Sequence, residues 1–153
     1  MGMDLKINDE LVFLDLKCDK NEDVLGLLSE QLYKLGYVKE GYREAVLERE
    51  KIYPTGLPSL GHKIAIPHAD YTLVNKTTIA IGVLDETVTF QSMENVDQPL
   101  DIKIVMMLAI SEPHGQIEML QKIVSIIQDE SLTERIANSK SKEEIMNVLE
   151  YIL

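Results

Sequence analysis

Residues 102–109 read Ile-Lys-Ile-Val-Met-Met-Leu-Ala, an almost continuous apolar run in which Lys103 is the one charged residue. A strand that helices cover on both faces has this pattern, whereas a strand with one solvated face alternates between apolar and polar residues. The run therefore predicts a central strand that lies between two layers of helices.

Shorter patterns on either side of this run predict the other elements. Period-two alternation or β-branched residues indicate strands at 12–16, 63–67, 77–84 and 88–90. Apolar residues at helical spacing indicate helices at 19–35, 40–52, 113–128 and 132–137 and from Ser141 onward. We predict one α/β domain over residues 1–153, in which helices flank a mixed sheet of about five strands in three layers.

Two serines are predicted to begin helices. Ser111 is the candidate N-cap of the 113–128 helix, which has Pro113 in its first turn. Ser141 and Glu144 fit a capping box that opens the last helix.

The charge balance limits the classes of partner. Fifteen Lys and Arg against 26 Asp and Glu give a formal net charge of −11, spread along the chain. Nucleic acids and anionic membranes bind clustered cations, so neither is expected to bind here. With Cys18 as the only cysteine and no signal-peptide pattern in residues 1–10, we expect a cytoplasmic protein without direct membrane insertion.

His68 is the first candidate for chemistry. It follows Ile64-Ala65-Ile66-Pro67, so it lies where the proline ends a strand, and strand ends are the usual ligand sites of α/β sheets. An unprotonated imidazole nitrogen can attack a phosphoryl group while the other nitrogen donates to a carbonyl. The alternative is an ordinary histidine in a surface loop.

His114 and Arg49 could assist such chemistry. His114 lies in the first turn of the 113–128 helix, where free N–H groups attract anions, and the guanidinium fork of Arg49 suits a phosphoryl group. Each also has an ordinary interpretation, because His114 could be a solvated residue and Arg49 the ion-pair partner of Glu50.

Other patterns offer weaker candidates. His62, His68 and His114 together invite a zinc hypothesis and hence a metal-dependent hydrolase, but no HExxH or CxxC spacing supports a metal site. Cys18 is expected to be a small, partly buried side chain. Gly56 and Gly61 match no phosphate-binding fingerprint, so no nucleotide or other cofactor is expected.

Several motifs occur together in a fixed order: Arg49-Glu50, then Tyr53-Pro54-Thr55-Gly56-Leu57, then Ile64-Ala65-Ile66-Pro67-His68. This set resembles the signature of IIA components of the fructose and mannitol class of the bacterial sugar phosphotransferase system. The resemblance continues through residues 104–109 and His114, from about Leu11 onward. The Tyr-Pro-Thr-Gly form and the Ile-Pro-His-Ala-Asp run are most similar to galactitol-specific IIA components.

The resemblance implies a phosphotransferase without a metal. The phosphoryl acceptor would be His68, with Arg49 and His114 in the same pocket. The donor would be phosphorylated HPr and the acceptor a IIB component, with a membrane IIC component downstream. A regulatory module whose phosphorylation state another protein senses remains the alternative. In either case, the surface that docks the partner is expected around Leu57, Leu60, Ile66 and Pro67.

Overall fold

The position of the 102–109 run in the sheet explains why it is so apolar. The computed structural model describes residues 7–59 and 61–152. Its strands are β1 Val12–Leu16, β2 Gly56–Leu57, β3 Lys63–Ala65, β4 Thr78–Gln91 and β5 Pro99–Ala109. They form one sheet in the order β1-β4-β5-β3-β2, so β5 is the middle strand.

Helices cover both faces of this sheet. They are α1 Asn21–Lys34, α2 Tyr42–Ile52, α3 Pro113–Ile127, α4 Glu130–Ala137 and α5 Lys142–Ile152. Alternate residues of β5 pack into two separate cores: Val105 and Met107 with α1 and α2, Ile104 and Met106 with the other three helices. The predicted three-layer α/β domain with a mixed sheet is confirmed. No helix in these two described ranges is long and apolar enough to cross a membrane.

Three local predictions need correction. The predicted strands at 77–84 and 88–90 are one strand, β4, whose register against β5 shifts between Val83 and Val88. The predicted strands leave out the two-residue strand β2, which pairs antiparallel with β3. Ser111 is not the helix cap, because its hydroxyl is hydrogen-bonded to Thr77 at 3.0 Å and α3 is capped at Glu112.

The last helix begins as predicted. The backbone N–H of Glu144 donates to the Ser141 hydroxyl at 3.2 Å, which satisfies one of the free donors of the first turn of α5.

Strand β3 runs parallel to β5, and this pairing decides which chain segments meet. The carboxyl ends of parallel neighbours lie at the same edge of a sheet. The backbone N–H of Leu108 donates to the Pro67 carbonyl at 2.9 Å, so the pairing extends past the end of β3 to His68. The segment after β3 and the segment that leads from β5 into α3 therefore share one edge.

Helix α2 is attached to that edge through Tyr42. Tyr42 is 1% exposed, and its hydroxyl donates to the Leu108 carbonyl at 2.7 Å. Burial raises the pKa of Tyr42, so the phenol is protonated and can donate at any physiological pH. One hydrogen bond thus links the start of α2 to the strand end beside His68.

The change Tyr42→Phe removes this donor and leaves the Leu108 carbonyl buried without it. Loss of one partner of a buried hydrogen bond costs about 1–3 kcal/mol, and we expect a decrease of that size in the free energy of unfolding measured with urea. The matched control is Tyr33→Phe, since Tyr33 is 48% exposed. Equal urea midpoints for the two variants would contradict a stabilising role for the Tyr42 hydroxyl.

Candidate active site

The ring of His68 is held in one orientation by the backbone just before it. Its Nδ1 lies 2.8 Å from the Ile66 carbonyl oxygen. A carbonyl oxygen only accepts, so Nδ1 carries the proton and the neutral ring has its lone pair on Nε2. Nε2 makes no hydrogen bond with the residues that the structure describes. The tautomer needed for nucleophilic attack is therefore selected by one backbone carbonyl.

The surroundings of His68 also keep its ring neutral. Burial lowers its pKa from the usual 6.5, and the positive charge of Arg49 lowers it further, against the opposing effect of the Ile66 hydrogen bond. Charging a desolvated imidazole next to a guanidinium is unfavourable. At neutral pH the ring is thus predominantly the unprotonated base.

His68 and Arg49 line one cavity of about 260 Å³. The rest of its lining is mostly apolar and comprises Ile52, Tyr53, Pro54, Thr55, Met93, Val96 and Leu120. These lining residues include one cation and no carboxylate, although the chain carries a net charge of −11. An anion that enters this cavity meets a favourable charge and a nucleophilic nitrogen.

Arg49 is available to such an anion. Its guanidinium lies over the ring of Tyr53, 5.3 Å from the centroid, which is within the range of a cation–π contact. Among the described residues it makes no ion pair, and neighbouring Glu50 is directed elsewhere, to the backbone N–H and the hydroxyl of Thr55. The interpretation of Arg49 as the ion-pair partner of Glu50 is therefore wrong.

His114 lies near the site without lining it. It is the second residue of α3 and exposed, and α3 starts four residues after β5 ends at the edge that carries His68. Leu120, further along the same helix, does line the cavity. His114 is therefore on the helix that contributes Leu120 to the cavity, and its predicted contact with a bound phosphoryl group remains a prediction.

Two polar residues near the site have local structural roles. Asp70 caps a short 3₁₀ turn, Tyr71–Leu73, and hydrogen bonds from the Thr72 backbone and hydroxyl lower its pKa, with a smaller contribution from Arg49. His62 lies 3.3 Å from Glu134 and so links the loop before β3 to α4. Within the described residues no group of three or more His, Cys, Asp or Glu is arranged to hold a metal ion.

A larger cavity elsewhere does not suit an anion. It has a volume of about 400 Å³ and is lined by Asp19, Asp23, Asp85 and Glu86 together with Lys17 and Cys18. Burial, followed by the charges of Asp23 and Asp19, raises the pKa of Cys18 and keeps it a thiol. Four carboxylates would repel a phosphoryl group, so this cavity is not a second candidate.

The predicted docking surface needs correction. Leu57 and Ile66 are 8% and 1% exposed, Pro67 is buried as well, and Leu60 lies outside the described residues. The apolar side chains that are exposed around the cavity are Ile52, Tyr53, Met93 and Val96, with exposed fractions of 64%, 61%, 41% and 51%. Of the motif residues, Tyr53 is part of this exposed rim, and the other rim residues come from the end of α2 and the segment after β4.

The state of the His68 ring can be measured directly. Long-range ¹H–¹⁵N spectra of histidine-labelled protein at pH 7.5 should show His68 as the Nδ1–H tautomer. The pKa of His68 measured by titration should lie below 6.5. Any contribution of the neutral ring to the free energy of unfolding is then fully present above pH 6.5 and is lost as the pH falls through the pKa of the folded protein. A His68 ring that titrates above 6.5, or that is protonated on Nε2, would contradict this geometry.

Comparison with known proteins gives the family. The chain matches the family model "Phosphoenolpyruvate-dependent sugar phosphotransferase system, EIIA 2" over residues 6–152. The mannitol-specific EIICBA component of this system in Escherichia coli (strain K12) is 31% identical over 147 residues, which cover 94% of this chain. The chain spans 22% of the length of that relative. A nitrogen regulatory protein of Bradyrhizobium diazoefficiens is 24% identical over 141 residues, which cover 92% of this chain and 89% of that protein.

A solved structure agrees with this assignment. A chain in the complex of enzyme IIAMTL and phosphorylated enzyme IIBMTL from Escherichia coli is 30% identical and superimposes with a TM-score of 0.79, covering 96% of this chain and 99% of that one. Because the family match takes in all the elements that build the cavity around His68, this chain belongs to the EIIA 2 family of the phosphoenolpyruvate-dependent sugar phosphotransferase system.

Proposed function

We propose that this chain is a cytoplasmic phosphoryl carrier that receives a phosphoryl group on Nε2 of His68 and passes it to a IIB component. The observation that carries the proposal is the Nδ1–H hydrogen bond to the Ile66 carbonyl, which leaves Nε2 unprotonated in a cavity with Arg49. The complex of enzyme IIAMTL with phosphorylated enzyme IIBMTL from Escherichia coli supports a IIB component as the acceptor. Phosphorylated HPr is the proposed donor.

The bonds, charges and protons of the transfer are accounted for by the two histidines and the phosphoryl group. Nε2 of neutral His68 attacks phosphorus as the bond between phosphorus and the donor nitrogen breaks, and the Nδ1 proton stays in place. The His68 ring gains positive charge during this step, and the Ile66 carbonyl that accepts from Nδ1 stabilises that charge. In the second step the phosphoryl group leaves Nε2 for a nucleophile of the IIB component, and the ring returns to its neutral form.

Arg49 and His114 have supporting roles in this proposal. The guanidinium of Arg49 binds the equatorial oxygens of the phosphoryl group from within the cavity. His114, at the free N–H end of α3, donates to a phosphoryl oxygen once a partner protein has closed over the rim. The exposed apolar side chains of that rim, Ile52, Tyr53, Met93 and Val96, form the contact surface for both partners.

The partner protein, and not the site around His68, decides which sugar is transported and whether the chain serves transport or regulation. The Tyr-Pro-Thr-Gly form favours a galactitol system, whereas the transporter relative reported above is mannitol-specific. The nitrogen regulatory relative, which this chain matches over 89% of its length, supports a regulatory module as the second candidate. In that case the same phosphorylated His68 is sensed by another protein instead of feeding sugar uptake.

The acceptor residue is tested by phosphorylation with phosphoenolpyruvate, enzyme I and HPr. The label should be stable to base and labile to acid, should map to Nε2 of His68, and should be absent from His68→Ala. Full labelling of that variant, or a label on Nδ1, would overturn the proposal. Transfer from the labelled protein to galactitol-specific and mannitol-specific IIB components then distinguishes the two sugars. Failure with every IIB component favours the regulatory role.

The role of Arg49 is tested with Arg49→Lys, which keeps the charge but loses the planar fork of donors. We expect the initial rate of phosphorylation to fall about tenfold or more while the melting temperature stays unchanged, because Arg49 has no ion pair to lose among the residues that the structure describes. The matched control is Arg43→Lys on the same helix, where Arg43 pairs with Glu30 at 3.6 Å. A lower melting temperature at the wild-type rate would make Arg49 a structural residue. His114→Ala should slow transfer in the same assay.

A further inference from the structure

Glu50 is a buried carboxylate that the proposed transfer does not use. It is 7% exposed and lies in the last turn of α2, one residue after Arg49. Its two oxygens accept from Thr55, one from the backbone N–H and the other from the hydroxyl, both at 2.8 Å. Burying a carboxylate costs free energy unless the group is well hydrogen-bonded, and an apolar side chain would pack here without that cost. The carboxylate of Glu50 is therefore expected to have a role other than packing.

The bonds from Glu50 continue through the backbone to the ring of His68. The carbonyl of Thr55 accepts from the N–H of Ile66 at 3.1 Å. The carbonyl of Ile66 in turn accepts from Nδ1 of His68 at 2.8 Å. Thr55 is thus held by Glu50 on one side and by Ile66 on the other, and three consecutive links join the carboxylate to the nucleophilic ring.

The residue after Thr55 is closely packed. A Cβ at Gly56 would come within 2.7 Å of the Gln91 carbonyl oxygen, and the Gly56 carbonyl accepts from the Met93 N–H at 2.8 Å. Gly56 also pairs with Ala65 in the short β2–β3 ladder. Thr55 thus lies between Glu50 and a residue that pairs with β3, and a displacement of Thr55 acts directly on Ile66, to which its carbonyl is hydrogen-bonded.

We propose that Glu50 is a positioning residue for His68: through Thr55 it fixes the Ile66 carbonyl that selects the tautomer and orientation of the histidine ring. Its effect on the rate of phosphoryl transfer rests on the proposed function of His68, whereas its effect on the ring of the unphosphorylated protein does not. The N–H and the carbonyl of Thr55 belong to successive peptide groups, as do those of Ile66, so Glu50 acts on the ring through the position of the backbone.

The protonation state of Glu50 offers an independent readout. Burial raises its pKa to about 7, while both Thr55 bonds and the charge of Arg49 oppose the shift. Glu50 also lines a cavity of about 240 Å³ in which the other charged groups are Glu22 of α1 and Lys51 of α2, and Gln91 of β4 is neutral. Because burial lowers the pKa of His68, a change of its ring signals near pH 7 that disappears in Glu50→Gln reports on Glu50 and not on the ring itself.

The decisive variant is Thr55→Val, which removes the hydroxyl bond to Glu50 and keeps the backbone bond, shape and burial. Its matched control is Thr78→Val, since Thr78 is fully buried and its hydroxyl has no hydrogen-bond partner among the described residues. Both changes replace a buried hydroxyl by a methyl group, but only Thr55→Val breaks a hydrogen bond in the series that leads to His68. Glu50→Gln is the conservative variant, because its amide can accept from the Thr55 N–H and donate to the hydroxyl.

The measurements are the ¹⁵N signals of the His68 ring at pH 8 and the initial rate of phosphorylation from phospho-HPr. In Thr55→Val we expect the two ring nitrogens to move toward a mixture of tautomers and the rate to fall about tenfold or more, because small displacements of a reacting group are costly. Thr78→Val should match the wild type in both. Glu50→Gln should retain most of the rate and lose the change of the ring signals near pH 7.

Each contrary outcome is informative. Unchanged ring signals in Thr55→Val would overturn the positioning role, whatever the rate of phosphorylation of that variant. A change near pH 7 that persists in Glu50→Gln would overturn it as well. If the wild type is not phosphorylated on His68, the proposed function fails, and the ring signals of the unphosphorylated variants still decide whether Glu50 positions the ring.

Discussion

The hydrogen bond from Nδ1 of His68 to the Ile66 carbonyl is the interaction on which the site depends. It spans two residues, so it needs the chain to turn at Pro67 with the carbonyl and the ring on one side. That turn is held in place because the Pro67 carbonyl accepts from Leu108 of β5 and the Ile66 N–H donates to Thr55. The His68 ring is therefore held as an extension of the sheet, with far less freedom than an ordinary loop histidine.

Helix α2 connects this strand end to the rest of the fold at two points. Tyr42 in its first turn donates to Leu108, and Glu50 in its last turn accepts from Thr55. Leu108 and Thr55 are each hydrogen-bonded to the backbone just before His68, and Arg49 is an exposed residue of the same helix. One helix thus contacts the backbone that holds the His68 ring and also carries the cation of the cavity, so the two groups keep a fixed relation to each other.

Charge and hydrophobicity separate the site from the remaining surface. The protein carries a net charge of −11, yet the cavity around His68 is lined by one arginine and no carboxylate, and its rim is apolar. The larger acidic cavity near Cys18 has the opposite character. A local cation attracts an anionic group, and an apolar surface contacts the protein that carries it. The His68 cavity combines both features.

The sequence by itself determined the layered α/β fold, the central position of residues 102–109 and the identity of the motif residues Arg49 and His68. It could do so because periodicity follows from burial on one face or two, and because the chemistry of a side chain is local. The exposure of Ile52 and Met93, the short strand β2, the burial of Leu57 and Ile66 and the partner of Glu50 were decided by tertiary structure alone. The exposed and buried side chains among these depend on which distant segment packs against them. Glu50 takes a nearer partner, because Thr55, five positions along the chain, and not neighbouring Arg49, binds its carboxylate. Neither kind of contact leaves a period in the sequence, and contacts between distant segments arise only once the strands have paired, as β3 does with β5.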